Sequence, residues 1–269
     1  MRLTASQTHL PCRGDIVVTA RFFLHTPSMR SYVVFIALIL SSPNAQAVFW
    51  DYEGTRTGQE EWGNLTPNFA TCRDGKSQSP ISLNRATTAN LPVLQFDYKP
   101  TPSTLWLDRY SVVSIPTQVL EMKENGHAWR LKEMLIRTPS EHDIDGNYYP
   151  MELQFIHEND EKKPLIIAIF LKIGQINPAL QGIIDHFPRT LKDRPTVTID
   201  WTRFIPGKQA YYRYNGSFAY PPCTEGVEII VFKTPVEASK EQLSWLAGKF
   251  NRNARNPQPL LMRSIQESK

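Results

Sequence analysis

The chain has 269 residues, 41% hydrophobic, 11% aromatic and 21% charged, a balance that suits one large globular domain. Its formal charge of +4 comes mostly from the start: residues 1–47 hold four of the 30 basic and one of the 26 acidic residues, so the rest carries 26 and 25, a net of +1. The basic balance therefore gives no argument for nucleic acid as a partner.

In chain order, the first 47 residues read as a leader. Met29-Arg30 forms a second possible start, Tyr32 to Leu40 is an apolar run too short to cross a bilayer, and Ala45-Gln46-Ala47 is a small-x-small cleavage pattern. Residues 29–47 then form a secretory signal peptide and residues 1–28 an over-extended gene start. Residues 48–269 form a secreted or periplasmic domain that is not an integral membrane protein. The plainer alternative is a disordered tail with a short apolar patch. Cys12 leaves with the leader. The remaining pair, Cys72 and Cys223, fits a disulfide better than a metal site in an exported domain.

The rest of the chain has no linker, repeat or low-complexity block. β-Rich segments run over Val93–Tyr98, Val119–Lys123, His127–Arg137, Tyr149–His157, Leu165–Ile173, Thr196–Trp201 and Val227–Phe232. The run LIIAIFLKIG is nearly continuous apolar, as a central strand buried on both faces requires. Asn177-Pro178 opens a helix, with Leu180, Ile183, Ile184 and Phe187 at helical spacing. Ser239 and Gln242 form a capping box ahead of Leu243, Leu246 and Phe250. The expected fold is mainly β (α+β), a single domain with a few peripheral helices. Asn64 and Asn215 stand in glycosylation sequons, which matter only in a host that glycosylates exported proteins.

The segment 133–160 poses the chemical question. Alternation puts Glu133, Leu135 and Arg137 on one strand face, and Glu152, Gln154 and Ile156 on a face of the next strand. Two carboxylates, a guanidinium and an amide thus converge on one patch of sheet, where buried ionic groups are expensive. TPSEHDIDGNYYPMELQFIHEN, within this segment, resembles the stretch that carries the metal site of α-class carbonic anhydrases. Other marks of that family follow in order: WDYEG at 50–54, CRDGKSQSPI at 72–81, ENGHAW at 124–129, YYRYNGSFAYPPCTEGVE at 211–228 and NARNPQPLLMR at 253–263. The resemblance implies a large twisted, mostly antiparallel central sheet with a conical pocket, and it pairs Cys72 with Cys223.

The departures from the family pattern fall on its chemistry. Three histidines bind zinc in that family, and zinc lowers the pKa of its bound water to about 7. Their positions here are Leu135, Arg137 and Gln154. His127 in ENGHAW matches the family's proton-shuttle histidine, although without zinc a pocket-rim or surface histidine is the better reading. Glu141 matches the glutamate that orients a threonine, but that threonine is Ala219, followed by Tyr220, and a pocket-floor tryptophan is Ile229. Glu141 also suits a backbone-bonding role in a tight turn. Glu152 matches the carboxylate behind the third metal ligand, and His142 and His157 match structural positions.

Without zinc, available hydroxide at neutral pH falls by roughly eight to nine powers of ten. A histidine base returns only about 10² to 10⁴. The chain thus resembles the zinc-less carbonic anhydrase-related proteins. The expected role is non-catalytic, binding a small anion, glycan or protein through the old pocket or its rim, with no cofactor. The main rival is a carbonic anhydrase, a carbonate dehydratase using an unrecognised zinc site, and a weaker one is esterase-like hydrolysis by His127 and water. Arg137 is expected within about 4 Å of a carboxylate, Glu133 or Glu152. Its alternative is to snorkel to the pocket mouth.

Overall fold

Along the strand Pro164–Ile173 the side chains divide between two cores. Leu165, Ile167, Ile169 and Leu171 enter the larger one, while Ile166, Ala168 and Phe170 enter a second on the opposite face. A strand buried on both faces belongs in the middle of a sheet. In the computed structural model, which describes residues 48–250 and 252–269, it lies between Met151–Glu158 and Glu225–Phe232 in a 13-stranded mixed sheet. The expected leader, residues 1–47, lies outside the described residues. Outward from Met151–Glu158 the sheet continues through His127–Arg137, Val112–Pro116 and Pro100–Leu107 to Thr196–Asp200. Beyond Glu225–Phe232 come Tyr211–Ser217, Gln266–Glu267 and Thr87–Thr88. Parallel pairing joins Pro164–Ile173 to Glu225–Phe232 and to Val236–Ala238, and Thr87–Thr88 to Gln266–Glu267, while the other pairs of this sheet are antiparallel.

The expected segments all contain strands, all but one with shifted ends. Those over Gln95–Asp97 and Glu121–Glu124 are shorter than or offset from their predicted spans, and His127–Arg137 has the predicted bounds. Pro100–Leu107, Val112–Pro116 and Tyr211–Ser217 are additional strands. Both helices form where their signals lie. Asn177 caps Pro178–Asp185 by accepting from the N–H groups of Ala179 and Leu180, and Ser239 with Gln242 makes the full capping box of Lys240–Ala247. Gln242 also donates to the Asn177 carbonyl at 2.9 Å, tying the two helix starts together.

Cys72 and Cys223 form the expected disulfide, with Cα atoms 5.0 Å apart and a sequence separation of 151. Closing so long a loop is worth roughly 4 to 5 kcal/mol in the chain-entropy account. The bridge packs with Tyr52 and Trp62 and anchors the end of the segment that carries Ala219 and Tyr220.

His157 sets an acid limit on stability. It is fully buried, Nδ1–H donating to the Phe155 carbonyl (2.9 Å) and Nε2 accepting from the Tyr98 hydroxyl (2.6 Å). Burial pushes its pKa down to about 4. The unfolded chain takes up this proton near pH 6.5 and the folded chain only near pH 4, so stability falls as pH falls through that window, by about 3 kcal/mol in all. His142 does not offset the loss. Its folded pKa is raised, so its contribution is complete below about 6.5 and fades only as pH rises. Urea unfolding of wild type and His157→Gln at about pH 7 and pH 4 should show the wild type losing about 3 kcal/mol more than the variant. Equal losses would exclude His157 as the cause.

Candidate functional site

The site grows from the pairing of His127–Arg137 with Met151–Glu158, which sets Leu135 opposite Gln154 and Arg137 opposite Glu152. A bulge between Leu131 and Glu133 resets the alternation, after which Glu133, Leu135 and Arg137 share a face. That face forms one wall of a pocket of about 200 Å³, completed by Asp108, Val113 and the rings of Trp50, Tyr52, Trp106, Tyr110 and Tyr220.

Arg137 is 2% exposed and does not snorkel. Its Nε donates to Gln154 Oε1 (3.1 Å), and Nη1 donates to the Tyr52 hydroxyl (3.1 Å) and the Asn253 carbonyl (3.4 Å). The rings of Tyr220 and Tyr52 lie 5.7 and 6.0 Å from the guanidinium carbon. The carboxylate within ion-pair distance is Glu141, with Oε1 3.7 Å from Nε. This corrects the expectation of Glu133 or Glu152.

Glu152 stands opposite Arg137 in register, but its oxygens are already taken. Oε2 accepts the backbone N–H groups of Glu141 (3.1 Å) and His142 (3.0 Å), and Oε1 accepts from Gln154 Nε2 (3.0 Å) and faces His142 Nδ1 (3.1 Å). Glu133 lies four residues away on the strand, roughly 13 Å between Cα atoms. Glu141 reaches Arg137 from the turn after the strand. It is held by Gln154 Nε2 (2.6 Å) and by the Arg255 backbone N–H (3.1 Å), so the backbone group it bonds lies 114 residues away and not in its own tight turn, where the plainer reading put it.

The electrostatics follow from these contacts. Burial works against a charged Arg137, but Tyr52 and Glu141 outweigh it and hold the guanidinium ionised. Burial, reinforced by Glu152, pushes the Glu141 carboxyl up against the pull of Arg137. Burial also opposes the ionised forms of Glu152 and His142, yet each stabilises the other, so Glu152 is lowered and His142 raised. His142 Nε2 continues the network to the Tyr214 hydroxyl (2.7 Å) and so to Ser79 Oγ (3.0 Å). Burial pushes the Tyr220 phenol up to about 12.

These residues do not fit zinc. Leu135 has no donor atom, Arg137 is a fixed cation, and both ends of the Gln154 amide are committed. Among the described residues, no group of three or more His, Cys, Asp or Glu side chains is placed to hold a metal ion. Of the expected pocket residues, Glu133, Leu135, Arg137 and Tyr220 line the pocket, and Gln154 joins it through Arg137. Ile156 and Ala219 are buried without lining it. His142 and His157 are bonded within the interior.

His127 is exposed at the far end of its strand, roughly 26 Å from Leu135 along the chain, and does not line the pocket. The shuttle-like motif is a hairpin turn: Asn125 and Gly126 both have positive φ, 48° and 80°, the conformation that a two-residue Asn-Gly loop adopts. The walls contributed by Trp106, Asp108 and Tyr110 went unread because Pro100 and Pro102 disguise the strand that leads to them.

The family profile of eukaryotic-type carbonic anhydrases matches residues 57–269, and the chain belongs to that family. It is 34% identical over 225 residues to a carbonic anhydrase of Neisseria gonorrhoeae, covering 81% of this chain and 87% of that one. The α-carbonic anhydrase of Thermovibrio ammonificans, solved with the inhibitor sulfanilamide, superposes with a TM-score of 0.78 at 32% identity, covering 82% of this chain and all of the other. A dioscorin solved in complex with ascorbate superposes with a TM-score of 0.76 at 31% identity, covering 81% and 97%.

Proposed function

We propose that this chain is an exported, non-catalytic binding protein built on the carbonic anhydrase fold, in which a buried ion-pair network replaces the metal centre. The observation that carries the reading is the Arg137 guanidinium, bonded to Gln154 and beside Glu141, so that a protein cation already serves the buried carboxylate. A dication brought beside it would meet like charge, and Leu135, Arg137 and Gln154 offer it no free ligand atom. The pocket remains open and walled by aromatic rings, which suits ligand binding. The dioscorin–ascorbate complex is a case of a similar fold holding a small organic molecule. Export rests on the leader pattern. Among the described residues no helix is long and apolar enough to cross a membrane.

Protein purified with ample zinc and then desalted should retain far less than one equivalent per chain and hydrate CO2 no faster than buffer. The rival reading, a working carbonic anhydrase, is favoured by the bacterial relatives that carry that name. Stoichiometric zinc that survives mild chelation, together with hydration activity, would establish it.

A further inference from the structure

The pocket contains two unmet polar demands of opposite sign. Arg137 is bonded through Nε and Nη1, whereas Nη2 has no hydrogen-bond partner among the described residues. Arg137 itself lines the pocket, so an acceptor bound there is within reach of this group. Glu133, half-buried on the same wall, makes no hydrogen bond or ion pair among the described residues. Burial and the nearby Asp108 push its carboxyl up. Asp108 spends Oδ1 on the backbone N–H groups of Tyr110 (2.6 Å) and Ser111 (2.5 Å), and Oδ2 has no partner among the described residues. A half-desolvated carboxylate without a donor and a buried guanidinium N–H without an acceptor both cost free energy.

A simple anion would meet only one of these demands. Because Glu141 already pairs with Arg137, the uncompensated charge on the wall is negative, and an anion would face Glu133 and Asp108. A simple amine would satisfy the carboxylates and leave Nη2 bare. Glu133 and Arg137 lie four residues apart on one strand face, roughly 13 Å between Cα atoms. Both line the same pocket, whose volume of about 200 Å³ has room for a small ligand. Aromatic walls favour an ammonium group as well as an apolar side chain.

We infer that the pocket binds a small zwitterion of the amino-acid class. The ammonium lies against Glu133 and Asp108, the carboxylate accepts from Arg137 Nη2, and the side chain rests on the aromatic walls. This rests on the non-catalytic binding role proposed above and names the ligand class for the same pocket.

Isothermal titration of the full chain with L-phenylalanine, phenethylamine and 3-phenylpropionate separates the possibilities. L-Phenylalanine should bind saturably, and the other two, each lacking one charge, about tenfold or more weakly. Glu133→Gln should weaken L-phenylalanine and phenethylamine about ten- to a hundredfold and leave 3-phenylpropionate bound no more weakly, since the anion loses a like charge, and Glu133→Asp should restore part of the loss. Binding of 3-phenylpropionate as tight as that of L-phenylalanine would overturn the inference while leaving a binding role intact. So would an unchanged L-phenylalanine affinity in Glu133→Gln. No saturable binding of any probe up to about 10 mM would overturn it as well. Retained zinc with CO2 hydration would instead overturn the underlying role.

Discussion

Arg137→Leu is expected to destabilise the protein by roughly 3 to 5 kcal/mol at neutral pH. The variant removes the one side-chain cation within 4.0 Å of the Glu141 carboxylate among the described residues and leaves that carboxylate fully buried. It also strips the donors from Gln154 Oε1, the Tyr52 hydroxyl and the Asn253 carbonyl. The cost should depend on pH in a direction that identifies its origin. Burial and Glu152 already raise the Glu141 pKa against the pull of Arg137, and removing Arg137 raises it further. A carboxyl whose folded pKa lies above its unfolded value binds more protons when folded, so stability drops as pH rises through that interval. The deficit of Arg137→Leu should therefore be smaller near pH 5 than near pH 8. Adding Glu141→Gln should recover at least about 1 kcal/mol, because a neutral amide can remain buried where an uncompensated carboxylate cannot. Urea unfolding of the four proteins of this cycle at both pH values measures the coupling. A deficit independent of pH, with no recovery in the double variant, would show that Arg137 acts by packing alone.

What could be read in the chain beforehand follows from the range of each physical rule. Alternation is local, so the common face of Glu133, Leu135 and Arg137 was legible, as were the two faces of the strand over Pro164–Ile173. The helix caps were legible because Asn177, Ser239 and Gln242 satisfy backbone groups two or three residues away. The ionic partner of Arg137 was not, since it depends on which carboxylate remains unsatisfied after the turn at Glu141 and His142 has claimed Glu152. Tyr52 and Asn253, which reach Arg137 from 85 and 116 residues away, follow no local period. ENGHAW matches the family's shuttle motif through its turn alone: Asn-Gly before a polar residue is a turn signal wherever a hairpin is needed, and His127 follows the turn as the exposed histidine that the preferred reading allowed.

Rebuilding the family's metal shell should make stability depend on zinc. Leu135→His, Arg137→His and Gln154→His place three imidazoles on two paired strands, with positions 135 and 154 directly opposite one another. Without metal the triple variant should be less stable than wild type, because Glu141 loses its cation as in Arg137→Leu. Zinc should reverse the deficit, since it supplies neutral ligands with a dication beside the buried carboxylate. At a free concentration about a hundred times Kd, binding to the folded state alone adds about 2.7 kcal/mol. For a domain of this size that is a rise in Tm of roughly 5 to 10 °C. Gln154→His alone should show no such rise, because one imidazole beside an intact Arg137 is no metal site. CO2 hydration by the zinc-loaded triple variant should stay weak, since Ala219 has no hydroxyl where the family uses a threonine. Thermal melts with zinc and with chelator read out the binding step whether or not activity returns. If the triple variant folds and its Tm ignores zinc, the strands no longer hold metal geometry, and the loss extends beyond the three side chains to the backbone that carried them.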